Sequence, residues 1–178
     1  MTVPERPPLH AREIVRRLNE RGVDFVVIGG IASILHGSSR NTFDLDVCFA
    51  TNDANLEALG EALTSLGARL KGIEADVPFV ADARTLRRVE LLTLVTELGE
   101  LDVLSRPSGV SGFERLRSRA ERWELDGVPV LVASIEDLLT MKRSAGRPKD
   151  LADVAELETI ARLRRRRLVD VPGGVVIA

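Results

Sequence analysis

Cysteine and aromatic residues are scarce in this sequence, which limits how the chain can be cross-linked and which side chains can form its core. The 178 residues include a single cysteine, Cys48, so an intrachain disulfide is excluded. Only 3% of the residues are aromatic while 44% are hydrophobic, so a folded core must be built from aliphatic side chains. The length suits one compact domain with at most a small helical appendage.

Long apolar runs and a strong positive charge are also absent. No apolar segment approaches the roughly 18 to 20 residues of a membrane-spanning helix, and the first ten residues do not resemble a signal peptide. The net charge of -2 argues against general electrostatic binding to nucleic acid. The basic run Arg162 to Arg167 is expected to be a solvated helix end, with contact to RNA as the alternative. We therefore expect a cytoplasmic protein with no membrane partner.

The spacing of apolar residues predicts an α/β fold. Helical periods and short β-branched runs follow one another along the chain, which is typical of a mixed sheet flanked by helices. The predicted helices cover 9–21, 31–36, 55–66, 112–122, 134–142 and 149–166, and the predicted strands cover 23–28, 43–49, 88–96, 100–105, 123–126 and 130–132. The segment 69–84 is expected to hold a short strand or an irregular loop. In domain terms we predict an N-terminal helix over 1–22, a core over 23–133 and a helical C-terminal part over 134–178.

The strand predicted over 43–49 carries two aspartates on one face. Asp44 and Asp46 alternate with apolar residues, and residues two apart on a strand project to the same side. Two like charges this close repel each other, and a divalent cation with hard oxygen ligands removes the conflict. A third acid, Asp102, lies on the second strand of the predicted hairpin and can stand beside the pair. Glu100, two residues earlier on the same face, is the competing candidate.

A glycine pair precedes this acidic strand. Gly29 and Gly30 end a buried strand directly before a helix, where the backbone can approach a ligand and the helix offers unpaired N–H groups. Such a turn suits a phosphate group. Alone the signal is weak, because a glycine pair at a turn more often has a purely structural reason.

Two blocks of the sequence resemble a known enzyme superfamily. The first block is similar to the signature of DNA polymerase β-type nucleotidyltransferases, and its members are Gly29, Gly30, Ala32, His36, Gly37, Arg40, Thr42, Asp44 and Asp46. The second block resembles the AbiEii/AbiGii toxin-like branch, with Lys142, Gly146, Arg147, Lys149, Asp150 and Asp153. The resemblance covers about 23–157 and departs in Gly30, where many relatives carry Ser.

The resemblance implies roles for particular residues. Asp44 and Asp46 would bind two Mg²⁺ or Mn²⁺ ions, and Asp102 would bind one of them and help deprotonate the acceptor. The residues that it implies for nucleotide binding are Gly29, Gly30, Arg40, Thr42, Lys142 and Arg147. From the residues alone, Arg40 and Thr42 are as well explained by a structural role, and Arg147 by a solvated surface position.

The resemblance also implies a reaction. Such enzymes move a nucleoside monophosphate from an NTP to a hydroxyl, here of RNA such as a tRNA end or of a protein, as the toxin of a toxin–antitoxin pair with a cognate antitoxin partner. Two alternatives stay open. One is transfer to a small molecule such as an aminoglycoside, and the other is a module that binds a nucleotide or a partner without catalysis.

Overall fold

The computed structural model describes residues 6–73, 77 and 79–169. In this part of the chain a seven-stranded sheet has the order β3-β4-β5-β2-β1-β7-β6. The β1–β7 and β2–β5 pairs are parallel, and the remaining neighbours are antiparallel. The strands are β1 (Phe25–Ile28), β2 (Asp44–Phe49), β3 (Arg69–Leu70), β4 (Leu91–Thr96), β5 (Gly99–Leu104), β6 (Glu121–Leu125) and β7 (Val128–Val132).

Helices connect and flank these strands. They are α1 (Ala11–Glu20), α2 (Gly29–His36), α3 (Asp53–Ser65), α4 (Ala83–Arg88), α5 (Phe113–Arg119), α6 (Ile135–Ala145) and α7 (Pro148–Val169). The predicted class, a mixed sheet flanked by helices with a helical C-terminal part, is confirmed. In the described residues no helix is long and apolar enough to cross a membrane.

The buried apolar face of β2 and β5 fixes which side of the sheet each of their side chains faces. Leu45 and Val47 on β2 and Leu101 and Val103 on β5 are fully buried. Burying such a side chain contributes roughly 1.5 to 3 kcal/mol. A shift of one residue would turn this whole apolar face toward the other side of the sheet. The same packing therefore fixes the side to which the alternate residues of β2 and β5 point.

Side chains cap the starts of α3 and α6. The Asn52 side chain accepts a hydrogen bond of 3.0 Å from the backbone N–H of Asn55 at the start of α3. The Ser134 hydroxyl accepts one of 3.2 Å from the Asp137 N–H at the start of α6. Such caps satisfy N–H groups that have no partner inside the helix.

The segment 69–84 was only partly predicted. The short strand is present as β3, whereas helix α4 was not foreseen, and the strand predicted from Arg88 begins instead at Leu91. Asp82 caps α4 by accepting a 2.7 Å hydrogen bond from the Thr85 N–H, and two arginines in the last turn suit the helix dipole. Residues 74–76 and 78 of this segment lie outside the described residues.

The division into 1–22, 23–133 and 134–178 stays a prediction, and 1–5 and 170–178 lie outside the described residues. The basic run Arg162 to Arg167 lies on the last turns of α7. Most of it is exposed, as expected, while the Arg164 guanidinium stands 5.5 Å from the centre of the Trp123 ring.

Candidate active site

The register of β2 and β5 brings the three predicted aspartates onto one face of the sheet. Asp46 pairs directly with Asp102, and Asp44 pairs with Glu100. Directly paired residues project to the same side, on strands about 4.8 Å apart. All three aspartates are half-buried, on the side opposite the apolar face of β2. The sequence-based expectation that they converge is thus met at the level of the backbone.

These carboxylates lack full compensation of their charge. Burial raises the pKa of Asp46 to about 7, helped by the charges of Asp44 and Asp102 and opposed by the Lys142 ammonium. Burial likewise raises the pKa of Asp102, again with the help of Asp44, while the Thr93 side chain opposes the rise. A cation near this cluster would remove the repulsion.

The side chains as placed do not yet enclose an ion. Among the described residues, no group of three or more His, Cys, Asp or Glu side chains is arranged so that it could hold a metal. The Asp46 carboxylate is turned onto the glycine turn, where its Oδ2 lies 2.1 Å from the position that a Cβ on Gly29 would take. The donor set, three carboxylates on neighbouring strands, has the chemistry that Mg²⁺ prefers. Binding would require a side-chain rotation, and the metal site stays a prediction.

Both glycines of the turn are required by close contacts. Gly29 has a φ of +66°, and the Asp46 carboxylate occupies the space that a Cβ on Gly29 would need. A Cβ on Gly30 would lie 2.5 Å from the Thr42 hydroxyl oxygen. The Asp46 carboxylate accepts a hydrogen bond from the Gly30 N–H, and the two glycines open α2, whose N-cap residue Ile28 provides no side-chain cap. Its first N–H groups and its dipole therefore point toward the space beside the acids.

The loop between α2 and β2 is tied to α7. Ser38 and Ser39 donate hydrogen bonds of 2.6 and 2.9 Å to the Glu156 carboxylate. Arg40 forms an ion pair with Asp153 and donates a hydrogen bond of 3.2 Å to the Lys149 carbonyl. Sequence reasoning missed this clamp. The signal for it was the spacing of three in the acids at 150, 153 and 156, which places them along one side of a helix.

The other two predicted nucleotide-binding cations also meet acids of α7. The Lys142 Nζ lies 2.7 Å from Asp153 Oδ2, and the Arg147 Nε lies 2.8 Å from Asp150 Oδ2. Hydrogen bonding to Asp150 raises the pKa of Arg147, and the charge of Asp46 adds to the effect. Arg147 is thus not merely solvated. These cations lie on the Asp46 side of the site, and their role toward a nucleotide stays a prediction.

The competing acid, Glu100, has its own partners. It is only 4% exposed, and its carboxylate lies 2.7 Å from the Lys71 Nζ and 3.4 Å from the Arg6 Nε. Its charge is therefore balanced within the fold, whereas the pKa of Asp102 is raised. This difference favours Asp102 over Glu100 as the third functional carboxylate. Neither the Lys71 pair nor the Arg6 pair was foreseen from the sequence.

Solved structures of similar fold are nucleotidyltransferases. A lincosamide antibiotic adenylyltransferase, LnuA, in its lincomycin-bound form shares 17% identity with a TM-score of 0.58, over 86% of this chain and 99% of that chain. The antibiotic-resistance factor ANT(2'')-Ia shares 18% identity with a TM-score of 0.52, over 87% and 89%. A nucleotidyltransferase-like protein from Paracoccidioides brasiliensis shares 21% identity with a TM-score of 0.51, over 88% and 78%. At these identities the likeness establishes the fold.

The sequence itself provides the assignment to a family. No curated protein matches the chain significantly. A family model described as "Nucleotidyltransferase of unknown function (DUF6036)" matches residues 10–170, which include the glycine turn, the three aspartates and the α7 clamp. The AbiEii/AbiGii branch in particular is not confirmed and stays a prediction. The chain belongs to this DUF6036 nucleotidyltransferase family, and it is therefore a transferase.

Proposed function

We propose that the protein transfers a nucleoside monophosphate from an NTP to a hydroxyl group, with Asp44, Asp46 and Asp102 as the ligands of catalytic Mg²⁺ or Mn²⁺. The observation that carries the proposal is the juxtaposition of three half-buried carboxylates with the glycine turn that begins α2. One group binds cations and the other binds anions, so the pair suits a metal-bound triphosphate.

In the proposed reaction the acceptor hydroxyl lies on the Asp102 side of the site and the triphosphate on the side of the glycine turn. The acceptor oxygen attacks the α-phosphorus, the bond from that phosphorus to the bridging oxygen of the β-phosphate breaks, and pyrophosphate leaves. Asp102, beside Asp46 on the neighbouring strand, takes the hydroxyl proton. The Gly29–Gly30 turn receives the triphosphate, with Lys142, Arg147 and Arg40 beside it. Divalent ions held by Asp44, Asp46 and Asp102 would supply charge neutralisation and activation of the attacking hydroxyl.

The acceptor would approach from the β4 and β3 side of the acids. Asp102 pairs with Thr93 on β4, and the Lys71 N–H donates to the Thr93 carbonyl, so the row Asp46, Asp102, Thr93 and Lys71 crosses the sheet. Arg69, two residues before Lys71, is exposed on the same face. The Lys71 ammonium is paired with Glu100, so the exposed Arg69 guanidinium is the charge that favours a phosphate-bearing acceptor such as an RNA end over a polycationic one. We therefore rank transfer to RNA first, with a protein hydroxyl as the next macromolecular acceptor.

Small-molecule transfer is the second candidate function. Its support is the fold shared with LnuA and ANT(2'')-Ia, which are described as antibiotic adenylyltransferase and antibiotic-resistance factor. A toxin role with an antitoxin partner rests on the sequence resemblance. The third candidate function is binding of a nucleotide or a partner without catalysis. The presence of all three aspartates and Lys142 argues against it.

Incubation with each α-labelled NTP, Mg²⁺ and a cell extract separated by size tests the proposal. Label in the RNA fraction is the expected result, with nuclease sensitivity as the check on its identity. Label in the protein or small-molecule fraction would redirect the acceptor assignment, and absence of both label transfer and pyrophosphate release with every NTP would contradict the enzymatic proposal.

Metal binding should be visible as a gain in thermal stability. Because a ligand that binds the folded state alone stabilises it, Mg²⁺ at about 100 times its Kd should add about 2.7 kcal/mol to the free energy of unfolding. The comparison is between wild type and Asp46→Asn, by thermal denaturation in EDTA and in a Mg²⁺ series. Stabilisation of both proteins to the same extent would show that the ion binds elsewhere.

A further inference from the structure

Thr42 fills the space beside the second glycine of the turn. A Cβ on Gly30 would lie 2.5 Å from the Thr42 Oγ1 and 2.6 Å from the Thr42 Cβ, far inside ordinary contact distance. Gly30 is not among the glycines with positive φ, so lack of space rather than backbone conformation requires glycine here. The Thr42 side chain therefore occupies the volume that a serine at position 30 would need.

The same Thr42 hydroxyl also holds the first aspartate of β2. It donates a hydrogen bond of 2.8 Å to Asp44 Oδ1. A carboxylate has two oxygens, so this contact fixes one of them and leaves Oδ2 for a cation. Carboxylates that bind metals are commonly oriented by such hydrogen bonds from outside the coordination sphere. One side chain thus contacts both the phosphate-facing turn and the acidic strand.

We propose that Thr42 is a positioning residue, which sets the separation between the Gly30 turn and β2 and orients the Asp44 carboxylate for metal binding. Its consequence for metal binding rests on the proposed function, whereas the contact with Asp44 does not. The proposal also accounts for the departure from the superfamily pattern at Gly30. The Thr42 side chain fills the space that a serine on the turn would need.

Thr42→Val tests the hydroxyl, because valine keeps the shape of threonine and cannot donate. We expect Mn²⁺, followed by electron paramagnetic resonance, to bind this variant about 10- to 100-fold more weakly than wild type. Thr42→Ser restores the donor and should recover most of the affinity. The matched control is Thr64→Val on α3, which removes a hydroxyl that donates a 2.9 Å hydrogen bond to the Gly60 carbonyl, away from the acidic strands. Wild-type affinity in Thr42→Val, or an equal loss in Thr42→Ser, would overturn the proposal.

A double-mutant cycle tests the contact without any metal. Thr42→Val and Asp44→Ala, each of which removes the contact, are compared singly and together by thermal denaturation in EDTA. Loss of a hydrogen bond to a charged group should make the shifts in Tm non-additive by about 3 to 12 °C. Additive shifts would overturn the role of Thr42. If wild type binds no Mn²⁺, the metal part of the proposed function fails, and this cycle still decides whether Thr42 holds Asp44.

The packing of Thr42 on Gly30 is tested in the same way. Gly30→Ala should lower the Tm of the wild-type protein, because its Cβ meets Thr42. In a Thr42→Gly background the same substitution should have little effect, since the obstructing atoms are gone. An equal fall in both backgrounds would show that the space at Gly30 is not set by Thr42.

Discussion

Asp46→Asn is expected to lower the rate of nucleotidyl transfer by at least about 10³-fold while raising the thermal stability of the metal-free protein. The amide removes an anionic metal ligand, and losing several kcal/mol of charge stabilisation in the transition state corresponds to a factor of this size. The fold responds in the opposite direction, because asparagine also removes a repelled, buried charge. The measurement is label transfer from an α-labelled NTP, with Tm recorded in EDTA on the same preparations.

The sign of the stability change follows from the pKa of Asp46. This pKa rises from 3.8 to about 7 in the folded protein. The destabilising contribution of the ionised side chain is therefore fully present above about pH 7. That cost disappears as the pH falls below about 4, where the group is protonated in both states. At pH 8 the gain for Asp46→Asn should be about 1 to 3 kcal/mol, less than the full shift because the site relaxes. At pH 4 it should be close to zero.

The matched control is Asp126→Asn. Asp126 is exposed in the turn between β6 and β7 and has a φ of +48°, a conformation that asparagine tolerates. We expect wild-type transfer and an unchanged Tm in this variant. Loss of activity in Asp46→Asn together with a lower Tm would attribute the loss to unfolding and contradict the charge argument.

The acidic centre could be predicted from the sequence because it depends on short-range periodicity. Alternation over six residues places Asp44 and Asp46 on one face of β2, and the fully apolar opposite face leaves no second choice. The position of Asp102 needed one further assumption, that the second hairpin strand lies beside β2. The parallel β2–β5 pairing satisfies it.

The surroundings of the centre could not be predicted in this way, because their contacts join residues far apart in the chain. Arg40 meets Asp153, 113 positions later, and Ser38 meets Glu156, 118 positions later. Lys142 and Arg147 are close enough to Asp46 to interact with its charge, and both of them, like Arg40, form ion pairs with acids of α7. The reason for glycine at position 30 is likewise visible only once Thr42 is seen against it.

Gly29→Ala carries the second large effect, because two penalties coincide at this residue. Its φ of +66° costs an L-residue roughly 1 to 2 kcal/mol, and the new Cβ would lie 2.1 Å from Asp46 Oδ2. The carboxylate must move or the turn must open. We expect at least about a 100-fold loss of transfer, since a displacement of about 1 Å near the chemistry can cost that much. The Tm should fall by more than the roughly 2 to 8 °C that the strain alone predicts.

Gly22→Ala separates the two penalties. Gly22 has nearly the same backbone conformation, with a φ of +69°, and nothing lies within 4 Å of its Cβ position. Its alanine variant should therefore show the strain alone, with full transfer activity. Combining Gly29→Ala with Asp46→Ala should reduce the cost at Gly29 toward that of Gly22→Ala, because the carboxylate atoms nearest the new methyl group are gone. If Gly29→Ala and Gly22→Ala instead lower the Tm equally and both leave transfer intact, then the Asp46 carboxylate is free to leave the turn, and contact with Gly29 has no part in placing it.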